Sequence, residues 1–302
     1  MALTEVGLAG ASFTMPATRW LLSPQGVISL GTLAVLADGP LGCAVHSALP
    51  PATGYATSEL SLRLLRPARA GGTFVARGRL VHAGKSLALS SVQIVDAGGR
   101  LLADGSSLCF VRSLRGASPP PPAERADEPG PHSPDPYERP ELGRPVGQEA
   151  WVQLSGLEVL QAIIAGDLPN PPIHYLTGLR ATQVASGEAT FTMPCHEWLC
   201  SPLGTIEGGT IAMLADGALV SAIQTMAPPN TAVAAIDLKV NFLRPVLPDG
   251  RELVARGRVR HAGRTICLGE ADVLNADGKA VAVATGSAIL LPGRAATLAD
   301  AD

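Results

Sequence analysis

The amino-acid sequence contains the same domain-sized pattern twice. Residues 13–67 align without a gap with residues 191–245, and 27 of the 55 aligned positions are identical. Further matches follow after a one-residue insertion, so each copy extends over roughly 100–110 residues, a usual domain length. Solenoid repeats are shorter, at about 20–50 residues. The duplication therefore predicts two domains of one fold rather than a repeat array.

The segment between the two copies has a different composition. Residues 113–148 contain ten prolines, scattered charges and almost no large apolar side chains. Such a segment buries too little apolar surface to offset the entropy lost on ordering, which is typical of an extended linker. We therefore predict a first domain over residues 1–112, this linker, a second domain over residues 149–294 and a tail over residues 295–302.

Each copy has the same order of expected elements. A short strand and a Gly-containing loop lead into an apolar helix rich in small residues, at 31–48 and 209–226. A helix that is apolar on nearly every side is buried. Four strand-like runs separated by turn signals follow, in the first copy at 55–65, 73–81, 86–95 and 101–111. This order predicts an α+β fold with an antiparallel sheet around one central helix. The second copy adds an amphipathic helix at 151–167.

Charge and composition exclude several classes of protein. The net charge is −3, with 23 basic and 26 acidic residues, so nucleic-acid binding driven by positive charge is not expected. No apolar run is long enough to cross a bilayer, and the N-terminal residues carry an acid instead of a basic signal region. Five cysteines without a Cys-x-x-Cys pair indicate reduced thiols, which are typical of the cytoplasm. From these features together we expect a cytoplasmic protein that binds neither membrane nor metal.

Short motifs occur in the same order in both copies. The first copy has Leu-Ala-Asp at 36–38 and Leu-Arg-Pro at 65–67. The second copy has, in order, Gly-Gly at 208–209, Leu-Ala-Asp at 214–216, Leu-Arg-Pro at 243–245, His-Ala-Gly-Arg at 261–264 and Asn-Ala-Asp-Gly at 275–278. This series resembles the hotdog-fold thioesterases of the phenylacetic-acid-pathway (PaaI-like) type.

The resemblance implies a fold and an activity for the whole chain. It implies two hotdog domains in tandem that pair within one chain, with active sites at the interface between them. It implies hydrolysis of an acyl-CoA thioester to a free acid and coenzyme A, without a metal and without a cofactor apart from the coenzyme A of the substrate. Because a hotdog pair leaves apolar or edge surface, we also expect a homodimer of the fused chain.

Thioester hydrolysis requires an activated water and a group that stabilises the oxyanion. A helix N-terminus supplies free N–H groups and the positive end of the helix dipole. The aspartate of each helix lies eight residues after its start, about 12 Å along the axis, so it must act on a carbonyl held by the other copy. The first composite site therefore comprises Asp38 as general base or nucleophile and Gly208 and Gly209 as oxyanion donors, with Ser201 and Glu207 nearby. The family resemblance implies that Thr57 orients the water, because a Ser or Thr near this position helps to hold the attacking water in the family.

The second composite site lacks two of these features. It joins Asp216 to the first-copy helix start, where Leu30 occupies the position of Gly208 and Ala235 occupies the position of Thr57. A bulky side chain stands where the acyl group should lie, and no hydroxyl is available for the water. We therefore interpret this site as degraded and expect one working site per chain.

Other interpretations of the same residues stay open. Glycines at 208 and 209 also suit close packing of a helix. Glu207, Ser201 and Pro40 depart from the motif pattern, which leaves a non-catalytic acyl-CoA-binding protein or a hotdog hydratase or dehydratase as alternatives. Cations in turns could contact coenzyme A phosphates, or be solvated or paired with acids. These cations are Arg66, His82, Lys85, Arg244, His261 and Arg264.

Overall fold

The computed structural model describes residues 1–113 and 140–294. The first copy comprises β1 (Ala2–Gly7), β2 (Gly10–Pro16), α1 (Leu30–His46), β3 (Thr53–Leu64), β4 (Thr73–Ala83), β5 (Leu87–Val95) and β6 (Leu101–Ser113). The second copy comprises α2 (Gln148–Gln153), α3 (Gly156–Ala165), α4 (Pro172–Thr177), β7 (Arg180–Ala185), β8 (Glu188–Pro194), α5 (Gly208–Gln224), β9 (Thr231–Phe242), β10 (Glu252–Ala262), β11 (Ile266–Leu274) and β12 (Ala280–Pro292). Short 3-10 turns lie at Arg19–Leu21 and Glu197–Leu199.

All twelve strands form one antiparallel sheet, in the order β1-β2-β4-β5-β6-β3-β9-β12-β11-β10-β8-β7. The two copies meet where β3 pairs with β9, from Glu59 opposite Asn241 to Arg63 opposite Asp237. The α+β fold with two hotdog domains paired in one chain is therefore confirmed. The continuous sheet forms because each copy offers the strand after its central helix as an edge to the other copy.

The two central helices, α1 and α5, pack antiparallel against each other inside this sheet. Both consist mostly of Ala, Leu, Ile, Met and Gly, and most of their residues are buried. A Cβ on Gly31 would lie 2.8 Å from the Cα of Met213, and one on Gly209 would lie 2.6 Å from the Cα of Val35. Because any side chain there would strike the opposite backbone, these two glycines permit the close approach of the helices. Helix α1 continues through Pro40.

The structure corrects the sequence prediction at the start of the second copy. The single helix predicted at 151–167 is two helices, because Leu154 is extended and Ser155 begins a new helix with a capping box to Glu158. Ile164, predicted on the apolar side, is 40% exposed. Helix α4 and the outer strands β1 and β7 were not predicted. The chain thus places α3 against β7 and α5 of the second copy, and α4 against the 3-10 turn at Arg19–Leu21 of the first copy.

The predicted linker falls mainly outside the described residues, at 114–139, as does the predicted tail at 295–302. Residues 140–147 have no regular secondary structure and lie against the first copy. The Val146 N–H donates to the carbonyl oxygen of Pro24 at 2.9 Å, and Arg19 pairs with Glu141 at 3.0 Å. The chain therefore crosses the surface of the first copy before it enters α2.

Candidate active site

Asp38 of the first copy lies at the start of α5 in the second copy. The Gly209 N–H donates a hydrogen bond to Oδ2 of Asp38 at 3.0 Å. A Cβ on Gly208 would lie 3.0 Å from the same oxygen and 3.2 Å from Cζ of Phe242, so a larger residue would displace one of them. The structure thus brings together a carboxylate and a helix N-terminus that are 171 residues apart in the chain.

Glu207 precedes Gly208, and its carboxyl belongs to the same group of charges. Burial raises the pKa of Asp38, whereas the N–H groups of Gly209 and Gly208 lower it. Burial, and then the negative charge of Asp38, raise the pKa of Glu207 to about 8. The pKa of each carboxyl is raised overall, and because only Asp38 receives backbone donors, a negative charge is more favourable on Asp38 than on Glu207.

Strands β3 and β6 carry a cluster of polar side chains near Asp38. The Thr57 hydroxyl lies 4.0 Å from Sγ of Cys109, whose pKa is raised mainly by burial and to a smaller extent by Asp38. A Cβ on Gly42, one turn after Asp38, would lie 2.5 Å from the Tyr55 hydroxyl oxygen. Burial raises the pKa of Tyr55, with smaller contributions from Cys109 and Asp38, so the phenol stays protonated and can donate a hydrogen bond.

This polar cluster exists in one copy only. The positions equivalent to Gly42, Tyr55, Thr57 and Cys109 are occupied by Val220, Val233, Ala235 and Ala288. Sequence analysis identified the difference at Thr57 but missed Tyr55 and Gly42. Comparing the two copies position by position would have shown both, since a tyrosine in one copy replaces a valine in the other.

The second composite site is enclosed. Gly31 N–H donates to Oδ2 of Asp216 at 2.9 Å, so the arrangement at the first site is repeated here. Asp216 is only 3% exposed, and burial raises its pKa to about 6 despite the Gly31 N–H. A cavity of about 70 Å³ beside it is walled by side chains of α3 and α4, including Ile163 and His174. Burial lowers the pKa of His174 to about 4, so its ring is neutral.

A larger cavity, of about 330 Å³, lies between the two copies. Its walls include Val35 of α1, Thr210 and Met213 of α5, and Trp20 and Trp198 of the 3-10 turns. Trp198 is 57% exposed, so it lies at the mouth of the cavity. Glu207 also lines this space, which places the cavity beside the first composite site.

The remaining predicted site residues are at the surface. Ser201 Oγ accepts a hydrogen bond from the Leu203 N–H at 3.3 Å within its own turn. Arg66 donates to the carbonyl oxygen of Leu101 at 2.6 Å, and Arg244 donates to that of Ala280. The hairpin cations are exposed, namely His82, Lys85, His261 and Arg264.

Strand register divides these cations between the two ends of the sheet. Thr57 pairs with Cys109, which pairs with Ala88, so Lys85 lies at the Thr57 end. Arg244 follows Asn241, which pairs with Glu59, and therefore lies at that same end.

The other three cations lie at the opposite end. Ala235 pairs with Ala288, which pairs with Cys267, so the hairpin carrying His261 and Arg264 lies at the Ala235 end. Arg66 follows Arg63, which pairs with Asp237, and so belongs to the same group. The end of the sheet that holds Thr57 of the first composite site therefore also holds Lys85, His82 and Arg244.

The described residues, 1–113 and 140–294, contain no cluster of three or more metal-ligating side chains. Within those residues, no helix is both long and apolar enough to cross a membrane.

The comparison with known families decides the class of protein. The sequence model of the thioesterase superfamily matches residues 25–103 and again residues 203–282, which together are more than half of the chain. The chain belongs to the thioesterase superfamily. This thioesterase is also 34% identical over 121 residues to a candidate esterase of Halobacterium salinarum, covering 36% of this chain and 78% of the relative.

Solved structures match the thioesterase over nearly its whole length. An acyl-CoA thioesterase II of Mycobacterium marinum has a TM-score of 0.57 at 15% identity, with 96% of each chain covered. A thioesterase structure from Novosphingobium aromaticivorans has a TM-score of 0.58 at 16% identity, covering 96% of this chain and 98% of that one. At such low identity these likenesses support the tandem fold. The family matches identify the chain as a thioester hydrolase.

Proposed function

We propose that this thioesterase hydrolyses acyl-CoA at the first composite site. The observation that carries the proposal is the contact between Asp38 and the start of α5, because it joins a buried carboxylate to the positive end of a helix dipole. Relatives of the same superfamily act on thioesters, and a solved structure of the same fold is an acyl-CoA thioesterase.

In the proposed reaction, Asp38 acts as general base on a water molecule. Gly209 N–H holds the Asp38 carboxylate, and the Gly208 N–H donates a hydrogen bond to the thioester carbonyl oxygen. The Thr57 hydroxyl orients the water from the β3 side. The water oxygen bonds to the carbonyl carbon while one of its protons passes to Asp38.

Collapse of the tetrahedral intermediate completes the reaction. The carbon–sulfur bond breaks, and the electron pair leaves with the sulfur of coenzyme A. Asp38 returns its proton to that sulfur, which releases coenzyme A as the free thiol and the acyl group as the acid. The carboxylate of Asp38 is thereby regenerated without a metal or a redox step.

The second composite site does not perform this reaction in our proposal. Leu30 is 1% exposed and fills the position at which Gly208 admits the carbonyl. Helices α3 and α4 wall the remaining space beside Asp216. One equivalent of substrate should therefore be processed per chain at a time.

The test compares equivalent aspartates by release of free thiol from a panel of acyl-CoA esters. Asp38→Asn keeps the shape and removes the base, so kcat should fall by about 10²-fold or more. Asp216→Asn is the matched control and should change kcat by less than about threefold.

Two outcomes would contradict the proposal. If Asp216→Asn were the damaging change, the working site would be the enclosed one. If the wild type bound acyl-CoA without releasing thiol, the chain would be a binding protein.

A further inference from the structure

The phenol of Tyr55 is available to a ligand of the first composite site. Burial raises the pKa of its hydroxyl, and so do three nearby titratable groups, which are those of Cys109, Asp38 and Cys43. Within the described part of the chain the hydroxyl makes no hydrogen bond, and the ring contacts that of His46 at a centroid distance of 6.2 Å. Tyr55 is half-buried and His46 is exposed, so solvent reaches this place from the surface.

Helix α1 leaves room for this hydroxyl through a glycine. A Cβ on Gly42 would lie 2.5 Å from the Tyr55 hydroxyl oxygen, so any larger residue would displace the phenol. Glycine in the interior of a helix is destabilising relative to alanine. In the second copy the two equivalent positions hold Val220 and Val233. The first copy therefore carries a matched glycine and tyrosine at a cost to its helix, which points to a use for the hydroxyl.

Strand register gives the position of Tyr55 along the sheet. Tyr55 and Thr57 lie on the same face of β3, since they are two residues or about 7 Å apart. Tyr55 pairs with Val111, whose N–H donates to the carbonyl oxygen of Ser86, next to Lys85. The order along the sheet is therefore Thr57, then Tyr55, then the hairpin that carries Lys85.

Coenzyme A has an amide at a matching distance from the reacting carbon. The carbonyl carbon of its first amide is five bonds from the thioester carbon, or about 6 Å in an extended chain. This length is close to the spacing between Thr57, which orients the water in the proposed function, and Tyr55. A phenol donates hydrogen bonds to amide oxygens. The phosphates lie farther along coenzyme A, in the direction of Lys85.

We propose, on the basis of the proposed function, that the Tyr55 hydroxyl donates a hydrogen bond to the first amide carbonyl of coenzyme A and so positions the thioester beside Asp38. The contact depends on the space that Gly42 leaves, and Val233 provides no such donor at the second site. Because the amide is unchanged by the reaction, the contact is equal in the ground and transition states and acts mainly on KM.

The experiment compares two butanoyl thioesters, one of N-acetylcysteamine and one of pentanethiol. These thiols have equal chain length, and only the first contains the amide. Tyr55→Phe should lower kcat/KM for the amide-containing ester about fivefold, mainly through KM, because one neutral hydrogen bond is lost. The pentanethiol ester should change by less than about twofold. Tyr175→Phe removes an exposed phenol hydroxyl from α4 and should affect neither ester.

A second variant displaces the hydroxyl without removing it. Gly42→Ala places a methyl group against the phenol and should cause the same selective loss. In a Tyr55→Phe background the nearest ring atom would lie 3.4 Å from that methyl group, which is close to an ordinary contact. There Gly42→Ala should cause no further loss of activity and should raise the free energy of unfolding, since alanine favours a helix.

The outcomes separate this inference from the proposed function. Inhibition constants of both esters against hydrolysis of butanoyl-CoA give the same comparison if the short esters react slowly. An equal effect of Tyr55→Phe on the two esters, or no effect on either, would overturn the amide contact while leaving hydrolysis intact. Absence of thiol release from every acyl-CoA ester by the wild type would instead refute the proposed function.

Discussion

Asp38 and Asp216 occupy equivalent positions in the two copies and accept equivalent backbone hydrogen bonds, yet their surroundings differ. Asp38 is half-buried and lies beside the polar side chains of β3, whereas Asp216 is almost fully enclosed. The same motif therefore places its aspartate in two different environments. In one copy the carboxylate lies near Tyr55 and Cys109, and in the other it is enclosed by side chains of both copies.

The enclosed carboxylate should make stability depend on pH. Burial raises the pKa of Asp216 from 3.8 to about 6 in the folded chain. The folded state then binds this proton more tightly than the unfolded state, so the stabilisation is complete below about pH 4 and lost as the pH rises to about 6. The loss is on the order of 2–3 kcal/mol.

Asp216→Asn removes this titration. Its free energy of unfolding relative to the wild type should therefore increase by that amount between about pH 4 and pH 7, as measured by denaturant unfolding. A difference that stays constant over this range would show that Asp216 has an ordinary pKa.

The role of a single residue could be predicted from the sequence where local geometry fixes the distance between two groups. The rise of an α-helix already requires that Asp38 act with the helix start of the other copy. The contact of Tyr55 with Gly42 depends on how β3 lies under α1, which no local pattern contains. The protonation of Glu207 depends on burial and on a charge from the other copy, so the sequence could not supply it.

At the scale of elements, the pairing of β3 with β9 decides which cations can serve which site. The motif that contains Lys85 and the motif that contains Arg264 are equivalent, and the sequence gives no means of choosing between them. Strand register places Lys85 at the end of the sheet that holds Thr57, and Arg264 at the end that holds Ala235. Contacts to coenzyme A phosphates should therefore be unequal.

Lys85→Ala should raise KM for acyl-CoA about threefold and leave kcat nearly unchanged, because a phosphate contact is made equally in the ground and transition states. Arg264→Ala is the matched control and should leave both constants unchanged. Steady-state kinetics at low ionic strength provide the measurement. A KM effect from Arg264→Ala alone would assign coenzyme A to the other end of the sheet.

The helices before the second copy were the least predictable elements. Apolar spacing over 151–167 is compatible with one helix, and only the hydrogen bonds of Ser155 reveal a second start. Helix α4 is six residues long, too short to give a periodic signal. Whether these helices enclose Asp216 depends on how they pack against the first copy, and a sequence pattern does not show this packing.

For the whole molecule, the covalent connection should be dispensable once the chain has folded. The copies share a strand pairing and a helix pairing, and residues 140–147 lie on the first copy. A protease site introduced within 114–139 should therefore yield two fragments that stay associated in gel filtration and retain thiol release.

Separation into two folded monomers would show that the linker, rather than the interface, holds the copies together. Sedimentation of the uncut protein in the same experiment tests the expected homodimer of the fused chain, which should have twice the mass of one chain.

Helices α1 and α5 are joined by two equivalent hydrogen bonds, each from the start of one helix to the aspartate of the other, and this duplication has a consequence for evolution and chemistry. In a dimer of identical chains, a single substitution always changes both ends of such a helix pair. Here the chain can change one end alone, and positions 30 and 208 or 29 and 207 carry different residues. The two ends of the central cavity therefore carry different side chains. A bound molecule makes different contacts in its two possible orientations, whereas in a symmetric pocket both orientations make the same contacts.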